Sequence, residues 1–167
     1  MSQFTVSITV DNIIDALSAF LQPFVGACEI IRGQQNRVSM PLGGFVELTE
    51  ILQVDLETPS DNYDPANSQV TIAGPKRIDI QVDFYGPTAG DQCTAVKGVF
   101  RTNYAVAQFP PGIEPLYCSD GHQAPLLDAE QQYETRFTIT ASLQYNPNVS
   151  VPQQFANVVS VILEETP

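Results

Sequence analysis

The chain has 167 residues, of which 19 are acidic and 7 basic, for a formal charge of −12. That length suits one domain, residues 1–167, able to bury about two thirds of its unfolded surface without a covalent staple. The bases are sparse, with none between Arg37 and Lys76 and none after Arg136, so the clusters by which proteins grip nucleic-acid phosphates are missing.

Residues 4–10 (FTVSITV) alternate apolar and polar, and residues 1–10 read as a short strand or an arm. Asp11 is placed to cap a helix in which Ile13, Ile14, Leu17, Phe20, Leu21 and Phe24 form one apolar stripe, ended by Pro23 and Gly26. A strand over residues 28–32 follows, then a polar loop over residues 33–37. From Gly43-Gly44 a longer strand is predicted, with Val46, Leu48, Leu52, Val54 and Leu56 on one face, Glu47, Thr49, Gln53 and Asp55 on the other, and Ile51 out of phase. Residues 58–75 read as a long loop, with room for a hairpin around residues 69–72. A loop of that length in a domain is functional or mobile.

Residues 76–104 carry the strongest pattern. Ile78, Ile80, Val82 and Phe84 alternate with Asp79, Gln81, Asp83 and Tyr85, which predicts a strand with one face on a core. Gly86-Pro87 breaks it, Thr88 and Asp91 have helix-capping spacing, and Cys93, Val96, Phe100 and Tyr104 recur at helical spacing. Residues 108–127, punctuated by four prolines, read as irregular. The longest alternation then sets Tyr133, Phe137, Ile139, Ala141, Leu143 and Tyr145 against Glu134, Arg136, Thr138, Thr140, Ser142 and Gln144. Asn146-Pro147 ends that strand, and residues 155–163 form a last apolar segment.

These elements predict an α+β fold: a single domain with a largely antiparallel mixed sheet, two main helices on one face, and long loops. No apolar run approaches 18 residues, and no charged leader precedes an apolar stretch, so neither a membrane partner nor secretion is expected. Three widely spaced cysteines, Cys28, Cys93 and Cys118, suit free thiols in a reducing compartment.

Candidate chemistry is thin. The Gly86–Asp91 corner resembles the start of a phosphate loop, but its proline lacks an N–H and its aspartate repels phosphate, so it reads as a helix start. Cys118 and His122 are half a zinc site without a second half, and as a nucleophile pair they sit among acids. Asp79 and Asp83 share a strand face about 13 Å apart, too far to share a proton or metal, which predicts a solvated face. Asp61-Asn62-Tyr63-Asp64 lacks the spacing of a calcium loop. Neither G-x-S-x-G nor H-E-x-x-H occurs. No enzyme activity, metal or cofactor is expected.

Three stretches carry a resemblance. They are residues 29–38 (EIIRGQQNRV) with Pro41, Phe45 and Val46; residues 77–86 (RIDIQVDFYG) continuing to Phe100-Arg101; and residues 123–126, 130–134, 143–147 and 151–155 (QAPL, EQQYE, LQYNP, VPQQF). Together they resemble bacteriophage and prophage neck or tail terminator proteins. The resemblance implies a structural virion protein, assembled in the host cytoplasm. Such proteins form a ring, commonly of six copies, at the head-proximal end of the tail tube. The ring stops tube growth, contacts the head connector and lets DNA pass without specific binding. A head–tail joining protein or a minor tail component is the neighbouring reading, and a small Cys118–His122 enzyme a remote one. Within a ring, Arg32 and Arg37 are expected to meet acidic groups of a neighbour, with Asn36 in the same loop and Asp79 and Asp83 on an acidic face turned to a neighbour or a lumen.

Overall fold

Two alternating segments form the middle of the molecule. In the computed structural model, which describes residues 4–34, 41–124, 126–127 and 133–153, β1 is Thr5–Val6, α1 Val10–Val25, β2 Glu29–Arg32, β3 Phe45–Asp55, β4 Ser60–Asp64, β5 Gln69–Ala73 and β6 Lys76–Tyr85. They are followed by α2 Ala89–Val99, α3 Asn103–Gln108, β7 Ile113–Cys118, β8 His122–Gln123, β9 Leu126–Leu127, β10 Tyr133–Glu134, β11 Arg136–Tyr145 and β12 Asn148–Pro152. β6 and β11 pair antiparallel over their whole lengths, from Lys76 opposite Tyr145 to Tyr85 opposite Arg136. Ile78, Ile80, Val82 and Phe84 thereby stand beside Leu143, Ala141, Ile139 and Phe137 on one face, and all but the half-buried Phe137 are buried. The main sheet runs β2-β3-β6-β11-β7, with β8 also on β11; β2 lies parallel to β3 and the other pairs are antiparallel.

The helices cover that apolar face. α1 buries Ile13, Ile14, Leu17, Phe20, Leu21 and Val25, while Phe24 of the expected stripe is only partly buried. Its cap is Thr9 rather than Asp11. The Thr9 hydroxyl accepts from the Asn12 N–H at 3.3 Å and the Asn12 side chain accepts from the Thr9 N–H at 2.9 Å, a reciprocal box that Asp11 could not close. Asp11 instead lies in the first turn, where a negative charge favours the helix dipole. Pro23 sits inside the last turn, and Gly26, at φ +62°, ends the helix.

α2 starts at Ala89, but Thr88 makes no side-chain capping bond. Its backbone is not extended, and the Gly86 carbonyl accepts from the Ala89 N–H at 3.2 Å, so the Gly-Pro turn itself supplies an acceptor to the first turn. The helix also ends earlier than its spacing suggests. Thr102 turns back onto the Val99 carbonyl with both its N–H (2.9 Å) and its hydroxyl (2.7 Å), and Tyr104 belongs to α3. Phe20, Phe100 and Phe109 pack together beneath this turn, with ring centroids 5.2 to 6.3 Å apart.

β3 departs from its simple alternation at a bulge. Glu50 stands opposite Ile80, but Leu52 stands opposite Asp79, so Ile51 is an extra residue. Beyond it Gln53 and Asp55 share the face of Ile78 and Lys76, while Leu52 and Val54 turn to the opposite face with Asp79 and Arg77, away from Val46 and Leu48. Residues 108–127 are likewise not irregular throughout, since they contain β7 and β8; Pro115 is tolerated because β7 is an edge strand.

The expected long loop over residues 58–75 is a hairpin of β4 and β5, its turn held by the Asp64 carboxylate accepting from Ala66 N–H, Asn67 N–H and the Asn67 side chain. With β1 and β12 it builds a second sheet, ordered β1-β12-β5-β4. The second sheet continues strands of the first. β3 leads to β4, β5 to β6 and β11 to β12, and each passage contains one proline: Pro59, Pro75 and Pro147. A proline has no ladder donor, so all three strands break at one level. Crevices of about 150 and 340 Å³ lie at this line, sharing Lys76, Pro147 and Val149; the first is also lined by Pro59, Ile72 and Pro75, the second by Val6, Ile8 and Tyr145. The apolar segment expected over residues 155–163 lies outside the described residues.

Phe100 has no exposed surface. Phe100→Ala is expected to cost about 3–5 kcal/mol, and Tyr104→Ala, at a half-exposed ring, about 1 kcal/mol or less; urea denaturation followed by circular dichroism checks both.

Candidate interaction surface

The face of the main sheet away from the helices was expected to be solvated, and the structure corrects this. Asp83 is 1% exposed and Asp79 8% within the single chain. Arg136, on β11, donates Nε to Asp83 Oδ1 at 3.1 Å and Nη2 to Oδ2 at 2.8 Å, a two-pronged pair. Gln81 adds a bond to Oδ2 at 2.7 Å and the Thr138 hydroxyl donates to Oδ1. Four donors thus compensate the carboxylate for the water it has lost. Hydrogen bonding to Asp83 in turn pushes the Arg136 pKa further up.

Asp79 has its own partners, so the two carboxylates do not form one site. Ser142 donates to it at 2.7 Å, and Arg77 Nη2 at 3.3 Å. Arg77 Nε lies 3.2 Å from the same carboxylate, close enough for charge attraction but without hydrogen-bond geometry. Beside this network Tyr85 stacks on Phe45 with ring centroids 4.2 Å apart, lies under Arg136, and donates to Glu47 at 3.2 Å. Burial raises the Tyr85 pKa, keeping the phenol a donor. The sequence shows Arg136, Thr138 and Ser142 on the polar side of their strand. It does not show that Asp83, 53 residues before Arg136, lies beside them.

Cys118 and His122 cannot act together. Cys118 stands opposite Ala141 in the ladder and His122 opposite Thr138, and these two positions of β11 face opposite sides of the sheet. Burial, with a smaller contribution from neighbouring Cys93, pushes the Cys118 thiol up to about 12, so it is not a thiolate at neutral pH. Among the described residues no three metal-ligating side chains come together.

Of the expected contact residues, Arg32 lies at the end of β2 and pairs with Asp11 of its own chain, with both side chains well exposed. Asn36 and Arg37 lie outside the described residues. The exposed large apolar side chains of the described surface include Ile51, Leu52 and Leu56 along the end of β3, and Tyr104, Val106 and Tyr117 around α3 and β7, besides Phe4, Val6, Leu42 and Tyr63.

The chain belongs to the phage neck terminator protein family, whose sequence profile matches residues 11–166. This is a family of structural, tail-terminating proteins of bacteriophage, in agreement with the resemblance read from the sequence. No curated protein matches the chain by sequence. Among solved structures it is similar to the sheath/tube terminator of an extracellular contractile injection system, PVC, in its extended state. The TM-score is 0.50 at 13% identity, over 96% of this chain and 65% of that one, a likeness of fold.

Arg136→Ala leaves Asp83 buried with two neutral donors and is expected to cost about 3–5 kcal/mol, against at most about 1 kcal/mol for Arg32→Ala at an exposed pair; chemical denaturation of both variants tests the contrast. Alkali tests the thiol. Unfolded, Cys118 ionises near its ordinary 9.0, whereas the fold holds its proton to about 12, so stability is present below pH 9 and falls as pH rises above it. Cys118→Ala should flatten part of that fall in denaturation curves taken across this range, leaving the contributions of Cys93, Tyr85 and Tyr145, whose pKa values burial also raises.

Proposed function

We propose that this protein forms a closed ring of six copies on the head-proximal end of the phage tail tube, ends tube polymerisation there and joins the tube to the head connector. The family match over residues 11–166 carries the reading. The fold supports it in two ways. The main sheet ends in two different edges, β2 with the free part of β3 on one side and β7 on the other, which is what a heterologous contact repeated around an axis requires. The β4–β5 hairpin, mostly exposed, gives an arm long enough to reach a neighbour, the tube or the connector.

In this reading Arg32, Asn36 and Arg37 meet a neighbour, while Asp79 and Asp83 serve the sheet itself. The charge of −12 per copy gives the passage a field that repels the duplex, so DNA slides through without adhering. No cofactor or membrane takes part.

The test is a phage strain lacking this gene, imaged by electron microscopy. Tails that overrun their normal length, restored by the wild-type gene, are expected. Tails of normal length detached from heads would overturn termination and assign head–tail joining instead.

A further inference from the structure

The two edges of the main sheet differ in a way that names the contact between copies. At the β7 edge, Tyr104, Val106 and Tyr117 are 48%, 52% and 36% exposed, and the Arg101 guanidinium lies 5.8 Å over the Tyr117 ring. Among the described residues Arg32, Lys76, Arg77, Lys97 and Arg136 each hold a carboxylate of their own chain, and Arg101 holds none. At the opposite edge β2 covers β3 only as far as Leu48. Beyond it Ile51, Leu52 and Leu56 are 50%, 47% and 45% exposed, between Glu50 and Glu57. Among the described residues neither glutamate has a cationic partner; Glu50 accepts only from Gln53.

Both edges also carry a feature that discourages plain strand addition. The extra residue Ile51 breaks the β3 ladder, and Pro115 removes a donor from β7. Contact at these edges therefore runs through side chains. Copies that each carry −12 repel one another, so a contact of their apolar surfaces that also sets opposite charges face to face is favoured over one that does not.

We infer that the β7 edge of one copy docks on the end of β3 of the next that no described strand covers, with Tyr104, Val106 and Tyr117 against Ile51, Leu52 and Leu56, and with Arg101 facing the acidic stretch that Glu50 and Glu57 bound in that second copy. The inference rests on the ring proposed above and specifies its interface. Because the two surfaces lie on opposite sides of the central β6–β11 pair, each copy uses each once, and a ring closes with both covered.

The test uses the purified full chain and tails from the gene-deletion strain, with ring formation measured by mass photometry and electron microscopy and folding by circular dichroism. Arg101→Glu alone, or Glu50→Arg with Glu57→Arg, should weaken assembly at least about tenfold by setting like charges together. The triple variant should recover it. So should an equal mixture of the two faulty proteins, since a six-membered ring of alternating copies restores every opposite-charge contact. Wild-type rings with both single-sided variants assembling normally would overturn this interface and leave the ring intact. Loss without recovery in triple variant and mixture would also overturn it. Wild-type protein that forms no ring, alone or on tails, would overturn the ring itself.

Discussion

Arg136 closing over Asp83 is the interaction on which the rest of the structure depends. The pair ties the end of β6 to the start of β11 at the centre of the sheet. In a sheet a slip of one residue exchanges the two faces, and here it would bring Asp79 and Asp83 under the helices and set Ile80 and Val82 among the polar side chains of Arg136, Thr138 and Ser142. The hydrophobic pattern favours the observed register, and the buried carboxylate penalises the alternative, because off register Asp83 would lose its arginine and stay dry. A buried pair of this kind is weak evidence of net stability but good evidence of specificity in one arrangement.

That arrangement also explains why the chain offers so little chemistry. Its central acids are spent on arginines and hydroxyls, burial raises the thiol pKa values of Cys93 and Cys118, and its lone histidine is on the opposite side of the sheet from Cys118. What remains for partners is shape, exposed apolar side chains and charge. These are the means of an assembly protein, and they fit a member of the phage neck terminator family.

How much of this could be read from the sequence depended on how local each signal was. The alternation in residues 76–85 and 136–145 and the stripe of α1 are periodic over a few turns, and they placed the core correctly. The β3 bulge is local too, but one inserted residue reverses every later assignment, so Leu52 and Val54 were given to the wrong face. Asp83 looked solvated because a carboxylate on a polar strand face ordinarily is, and the arginine that buries it arrives 53 residues later. Thr9 displaced Asp11 as the cap through the side chain of Asn12, a pairing visible only once the backbone geometry is fixed. The residues of the proposed contact, Arg101 and the end of β3, gave no signal, since lacking an opposite charge among the described residues is a property of the folded chain.

The line of prolines at 59, 75 and 147 has a mechanical meaning. Strands resist bending across a sheet because their ladder bonds would have to shear, and along this line three adjacent passages each lose one donor to proline, while the Leu56 N–H still donates to the Pro75 carbonyl across it. The crevices beside it show that the two sheets are less closely packed along this line. The fold therefore combines a stiff plate, braced by helices, with a flap joined to it by a crease. In the ring proposed above, the plates would set the diameter and the small sheets would meet whatever surface lies beside it.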